Sequence, residues 1–197
     1  MRFVLAAILL IGTLSGDLLR EMKYNKTIEA EREDNVMDYK KELIRTVETF
    51  YIDVVEEFKE AELRISADSK FSRIFKKKNY GANIDLLRAC KKQALDLDTG
   101  HLQIPKADQD GAEILKLLNQ AIRRFMTVCD THVQLQVALQ KKANKEELKF
   151  SEYREIFRKA QESRTDLNDT LQAMDAVYAN YAYNEDGESY LDAQEIE

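Results

Sequence analysis

The chain has 197 residues, of which 44% are hydrophobic and 34% are charged, and its formal net charge at pH 7 is −6. These values exclude wholesale disorder, which requires low hydrophobicity together with high net charge. The acidic balance argues against a nucleic-acid partner, because nucleic-acid-binding proteins usually carry a basic excess that neutralises phosphates. One proline and six glycines, among many Leu, Ala, Glu, Lys and Gln residues, predict one domain built of long helices.

Residues 1–15 are typical of an export signal. Arg2 gives a positively charged start, and residues 3–16 are mostly apolar. Cleavage after Ser15 would leave small residues, Thr13 and Ser15, at the two positions that processing requires. An uncleaved N-terminal anchor is the alternative, although this apolar run is about 21 Å long as a helix and a bilayer core is about 30 Å thick. We therefore expect a protein that is secreted, periplasmic or attached to the cell envelope.

The next long segment predicts an amphipathic helix with a single apolar stripe. Its apolar residues recur three or four positions apart, with an average close to the period of a straight α-helix. The stripe consists of Val36, Tyr39, Leu43, Val47, Phe50, Val54, Phe58, Ala61 and Ile65. We expect the helix to end near residues 66–69, where serine and aspartate can cap a new helix.

Residues 69–98 predict a broken pair of short helices. The first short helix carries Phe71, Ile74 and Phe75 and ends in the lysine-rich segment 76–81. Asn83 is the expected cap of the second, which ends before Gly100. Its apolar residues are Ile84, Leu87, Cys90, Ala94 and Leu97. A loop around Pro105 follows.

Two further segments predict long helices that pack as an antiparallel hairpin. Asp110 and Glu113 resemble a capping box at the start of the first, and a polar turn at 141–147 separates the two. The first stripe is Ile114, Leu118, Ala121, Phe125, Val128, His132, Leu135 and Leu139. The second stripe is Phe150, Tyr153, Phe157, Ala160, Arg164, Leu167, Leu171, Met174, Tyr178 and Tyr181. Both stripes have steps of three and four residues, as in a coiled coil.

Together these elements predict an all-α fold. It is an elongated up-down helical bundle of three long helices plus the broken pair of short helices, preceded by the signal peptide. Residues 16–183 form the single helical-bundle domain. Residues 184–197 contain six acidic and no basic residues and form a flexible acidic tail.

The sequence contains no recognisable catalytic, cofactor-binding or metal-binding motif. Glu-x-x-His pairs, nucleophile elbows, P-loops and dinucleotide-binding glycine patterns are all missing. Cys129 and His132 share a helix face, and Cys90 can approach from a neighbouring helix, but zinc requires four converging ligands. As a nucleophilic pair, Cys129 and His132 have no evident orienting third group. We therefore expect no cofactor and no metal, and a non-catalytic protein is favoured over an enzyme.

Two pairs of alternatives concern the core. Cys90 and Cys129 form a disulfide, as an even cysteine count in an exported chain permits, or remain buried free thiols. A small ligand occupies a cavity between helices near Phe125, Cys129, His132 and Tyr153, or the core is close-packed and excludes one.

A basic patch interleaved with aromatic residues is the remaining candidate site. It could contact an anionic membrane surface, or its lysines could surround a solvated turn while Phe71, Ile74 and Phe75 pack inside. Its cations are Lys70, Arg73, Lys76, Lys77 and Lys78.

The function favoured by these patterns is that of an exported, non-catalytic interaction or structural module in the cell envelope or extracellular space. Its partner is then another envelope or extracellular protein. The alternatives are a small-ligand-binding or sensor bundle and a protein that binds anionic membrane surfaces. No pattern specifies the oligomeric state.

Overall fold

The computed structural model describes residues 39–71 and 79–183, apart from the side chains of 67–71. The all-α class is confirmed: the described residues are mostly helical, form four helices and contain no strand. The helices are α1 (39–71), α2 (Tyr80–Asp96), α3 (Gln109–Ala143) and α4 (Phe150–Ala182). None of the helices within these ranges is long and apolar enough to cross a bilayer.

The chain divides into a unit Met1–Lys40 and a unit Lys41–Glu197. Every contact described below lies within the second unit. The predicted signal peptide, residues 1–15, and the predicted acidic tail, residues 184–197, lie outside the described residues. Both therefore stay predictions.

Helix α1 is longer than the sequence predicts. It continues through residues 66–69 and ends at Phe71, so the predicted end near 66–69 is wrong. Serine and aspartate have only modest helix penalties, and no glycine or proline interrupts this stretch, so the backbone continues. Phe71 accordingly ends α1 instead of opening a short helix, and the other apolar residues predicted for that short helix, Ile74 and Phe75, lie outside the described residues.

Seven residues of α1, Phe50–Glu56, are wound as a π-helix, where a straight α-helix is predicted. The ring centroids of Phe50 and Phe58 lie 6.1 Å and 5.2 Å from that of Phe125 on α3. Eight residues exceed two turns of an α-helix, which has about 3.6 residues per turn. The wider π turns, with i to i+5 hydrogen bonds, bring both rings back onto one face.

Helix α2 is one continuous helix that begins earlier than expected. The side chain of Asn79 accepts a hydrogen bond of 3.1 Å from the backbone N–H of Ala82 and caps the helix. Gly81, predicted to end a helix, lies in its first turn. Asn83, the predicted cap, is instead buried and donates a 3.2 Å hydrogen bond to Gln136 of α3. The predicted start at Asn83 is wrong, because Asn79 satisfies the first turn one turn earlier.

Helix α3 also begins two residues before the predicted capping box. Asp108 is the cap, and its Oδ1 accepts a 2.9 Å hydrogen bond from the N–H of Gly111. The assignment to Asp110 and Glu113 is therefore wrong. The turn after α3 contains Lys145, which has a positive φ of 61°, and α4 begins at Phe150.

Side-chain contacts define the relative directions of α3 and α4. Three pairs of residues join them, and numbers that rise along α3 fall along α4, so the two helices are antiparallel. The pairs are Asp108–Tyr181, Arg124–Thr170 and Thr131–Ser163. The Thr131–Ser163 bond is 2.9 Å long and buried.

Helix α2 is antiparallel to α3 by the same criterion. Its contacts are Asn83–Gln136, Lys91–Asp130 and the loop residue Thr99 with Asn119. Helix α1 contacts α4 in antiparallel order through Glu48–Tyr178, Tyr51–Asp175 and Glu62–Arg164. The interior between the helices is filled by large side chains: Leu43, Ile44, Phe50, Leu87, Ile114, Leu118, Phe125 and Met174 are all less than 2% exposed.

Candidate functional site

Cys90 and Cys129 face each other across the α2–α3 interface. Each cysteine immediately precedes one member of the ion pair Lys91–Asp130, which joins the two helices, so the two cysteines lie at about one level. Cys90 is 2% exposed and Cys129 is fully buried. Both are free thiols in this structure.

Burial determines the protonation of these thiols. It raises the pKa of Cys129 far above its ordinary value, and the neighbouring Cys90 adds to the effect. Burial, and then the carboxylate of Glu57, also raise the pKa of Cys90. The thiolate is the form that attacks electrophiles and binds metals. Neither cysteine is therefore activated as a nucleophile or ligand.

His132 lies one turn beyond Cys129 and takes part in the packing between α1, α3 and α4. Its ring centroid is 5.6 Å from that of Phe58. Its Nδ1 lies 3.6 Å from Oε1 of Glu62, and the two side chains are only 18% and 17% exposed. Arg164 of α4 donates a hydrogen bond to the same Glu62 oxygen.

The environment of His132 keeps its ring neutral near pH 7. Burial lowers its pKa below the ordinary 6.5; Glu62 acts in the opposite direction, and Arg164 lowers the pKa further. Among the described residues, no three His, Cys, Asp or Glu side chains converge to hold a metal ion. The arrangement joins three helices through charge pairing and ring packing.

The four residues of the predicted ligand cavity are only partly brought together. Phe125 and Cys129 are fully buried, with His132 beside them. Phe50 and Phe58 pack edge-on against Phe125. Tyr153 lies elsewhere: Nζ of Lys142, ten residues beyond His132 on α3, is 5.6 Å from its ring. Ten residues are about 15 Å of helix.

The predicted basic patch falls almost entirely outside the described residues. Lys70 belongs to α1, but its side chain, together with Arg73, Lys76, Lys77 and Lys78, is not described. The patch therefore stays a prediction.

A groove that the sequence did not reveal lies between α3 and α4 near the turn that joins them. It has a volume of about 250 Å³. Its lining is mostly apolar, with charged or amide side chains among it: Val133, Gln134, Val137, Ala138, Lys141, Leu148, Glu152 and Ile156. In the sequence, only a four-residue spacing of side chains indicated this groove, at positions 133, 137 and 141 and at positions 148, 152 and 156.

The first turns of α4 expose aromatic side chains that the sequence assigned to the core. Phe150 is 74% and Phe157 is 42% exposed, so the prediction that the apolar stripe is buried along its whole length is wrong. Tyr153 stacks on Phe157 at 6.4 Å, and the guanidinium of Arg154 lies 5.9 Å from the Phe150 ring. These three aromatic residues lie N-terminal to Arg164, the residue through which α4 contacts Glu62 of α1. We call Phe150, Tyr153 and Phe157 the α4 aromatic face.

Comparison with known proteins gives no protein family that matches the chain, and no significant match to a curated protein or a solved structure.

Proposed function

We propose that this chain is an exported, non-catalytic helical-bundle protein that acts as an interaction or structural module in the cell envelope or extracellular space. Another envelope or extracellular protein is its partner. The supporting observation is how the side chains are distributed. Cys129 and His132, which are capable of chemistry, are built into helix packing, while large apolar side chains such as Phe150 and Phe157 are exposed.

The proposed architecture is an elongated up-down bundle. Successive described helices are antiparallel, as the pairs Lys91–Asp130 between α2 and α3 and Thr131–Ser163 between α3 and α4 indicate. The pair Glu62–Arg164 joins the first helix to the last. An up-down arrangement buries the apolar stripe of each helix against two neighbours.

Affinity capture from envelope and culture-medium fractions tests the interaction. We expect a protein partner to be recovered with the tagged chain in a near-stoichiometric amount. The matched bait is Phe50→Asp, in which a charge placed in the fully buried core unfolds the helices. Recovery of nothing beyond what this unfolded bait retains would contradict the proposal.

Export is tested separately by N-terminal sequencing of the protein isolated from its native compartment. Processing at the proposed position leaves Gly16 as the first residue. A mature chain in the cell interior that still begins at Met1 would show that the N-terminal segment is not an export signal.

We further propose that Cys90 and Cys129 form a disulfide after export. Their matched level on α2 and α3 and their joint burial support this pairing, and secretory compartments are oxidising. Protein isolated from its native compartment should show no thiol that reacts after unfolding. Two thiols appearing on unfolding would refute the disulfide.

A small-ligand-binding or sensor protein is the second candidate. The groove lined by Val133, Val137, Leu148 and Ile156 supports it, because a mostly apolar groove of about 250 Å³ can hold a ligand smaller than drug-sized compounds, whose pockets measure about 300–1,000 Å³. A screen of small apolar ligands, read out by thermal shift, tests this. Val137→Trp should fill the groove and abolish any shift.

A further inference from the structure

The α4 aromatic face has the pattern of a surface that binds a partner. Phe150, Tyr153 and Phe157 are spaced by three and four residues, which places them on one side of the helix over about 10 Å. Phe150 is the most exposed large apolar residue of the described chain, at 74%. Arg154 lies over the Phe150 ring and Lys142 over the Tyr153 ring. Apolar rings and cations are therefore interleaved.

The charge around this face differs from that of the whole chain. Residues 141–159 carry seven lysines and arginines against four glutamates, although the chain has a net charge of −6. Residues 96–113, on the segment that leads into α3, carry five acidic residues and one lysine. About 45 Å of helix separates Ala112 from Ala143 along α3. The segment around the α3–α4 turn is thus basic, and the segment that leads into the opposite end of α3 is acidic.

These charges favour some binding partners of the α4 aromatic face over others. Two copies meeting through this face in a symmetric dimer would bring their positive ends together, which costs free energy. A recess of about 430 Å³ lies beside these rings, and its charged lining residues, Arg154, Glu155 and Arg158, suit a charged lipid headgroup better than an apolar peptide side chain. An anionic bilayer surface matches both the cations and the exposed rings of this face. The cations bind its headgroups, and the adjoining aromatic rings enter the interfacial region.

We propose that the α4 aromatic face, with Lys142 and Arg154 beside it, docks the protein onto an anionic lipid surface. The inference rests on the proposed function, since it treats the chain as a non-catalytic interaction module and names one class of partner. It uses described residues distinct from the predicted basic patch.

Vesicle co-sedimentation of the full chain tests the proposal. Phosphatidylcholine vesicles with and without phosphatidylserine are compared at low and high salt. We expect phosphatidylserine to tighten binding by about tenfold and salt to reverse the gain. Any apolar N-terminal residues that remain on the purified protein contribute to both vesicle types, so the difference in binding between the two vesicle types is the quantity that matters.

Variants identify the face. The double variant Phe150→Ser/Phe157→Ser should weaken binding to anionic vesicles by about tenfold, and Lys142→Gln and Arg154→Gln should weaken it by about fivefold each. Leu95→Ser, which replaces a 66% exposed apolar residue on α2, is the matched control and should bind like the wild type. Circular dichroism confirms that each variant is folded.

Equal binding to neutral and anionic vesicles would overturn the inference, as would undiminished binding by the Phe150→Ser/Phe157→Ser variant. Salt-sensitive binding to an acidic peptide or RNA without vesicle binding would also overturn it. The proposed function fails on different evidence, namely an affinity capture that recovers no protein. The two failures are therefore distinguishable.

Discussion

The phenol of Tyr181, near the C-terminal end of α4, donates a 2.6 Å hydrogen bond to Oδ2 of Asp108. The other carboxylate oxygen of Asp108 caps the first turn of α3. A single carboxylate therefore both starts one helix and attaches the end of the next. Gly111 lies directly beneath this contact and is buried.

Gly111→Ala should destabilise the protein. Its Cβ would lie 2.5 Å from Oδ2 of Asp108 and 2.8 Å from the Tyr181 oxygen, which would force the capping contact apart. We expect a loss of about 1–3 kcal/mol in the free energy of unfolding, measured by urea denaturation.

Gly81→Ala is the matched control, in the first turn of α2. Its Cβ would approach nothing closer than the Asn79 side chain at 3.6 Å, and alanine favours the helix. We expect a gain of about 0.5 kcal/mol. A Gly111→Ala protein as stable as Gly81→Ala would mean that the contact at Tyr181 is not formed.

The buried amide pair Asn83–Gln136 should be sensitive to the loss of one partner. Asn83→Ala leaves the Gln136 side chain buried without its partner, at a cost of about 1–3 kcal/mol. The double variant Asn83→Leu/Gln136→Leu removes both polar groups and should recover much of this loss. Chemical denaturation of the three proteins measures the effect. Equal losses in the single and double variants would argue against a paired contact.

Lys145→Gly should stabilise the turn between α3 and α4. Lys145 has a φ of 61°, a left-handed conformation that costs a residue with a Cβ about 1–2 kcal/mol. Part of the gain is offset because glycine is more flexible in the unfolded chain. We therefore expect about 0.5 kcal/mol of stabilisation. Lys149→Gly, at a φ of −66°, is the control and should lose stability.

His132 should make the stability depend on pH. Burial lowers its pKa in the folded protein below the unfolded value of 6.5, so the folded state binds protons less readily than the unfolded chain. The stability that neutral His132 contributes is fully present above pH 6.5. It is lost as the pH falls towards the pKa of His132 in the folded protein. Unfolding measured between about pH 7.5 and 5 should show this fall.

His132→Gln should flatten that part of the pH profile, and His101→Gln, which removes the chain's other histidine, should retain it. His101 is 44% exposed and lies beside Glu42 and Asp98. An identical decline in the wild type and in His132→Gln would assign the pH dependence to other groups.

Helix existence was predictable from the sequence, because apolar residues at steps of three and four require a buried face. Helix ends were less predictable. Asp108 and Asp110 are both competent caps, and only the contact of Asp108 with Tyr181 distinguishes them. The π-helical winding also escaped prediction, because it depends on the position of Phe125 on another helix.

The candidate site residues, like the helices, were only partly predictable from the sequence. The common level of Cys90 and Cys129 depends on pairing between helices, which a single sequence does not give. Phe150 and Phe157 continue the periodic pattern of α4, and periodicity alone places them in the core. Their exposure depends on which neighbouring helix surfaces reach them, a property of the assembled fold.

The π-helical segment Phe50–Glu56 has a consequence for the recognition of relatives. A homologue with ordinary α-helical winding here would need one residue fewer to keep Phe58 and Glu62 facing the same neighbours. Alignments that penalise gaps inside helices would then pair the wrong residues on one side of this segment. Deletion of Ile52, which is 63% exposed, would mimic such a homologue and shows where a gap should be allowed.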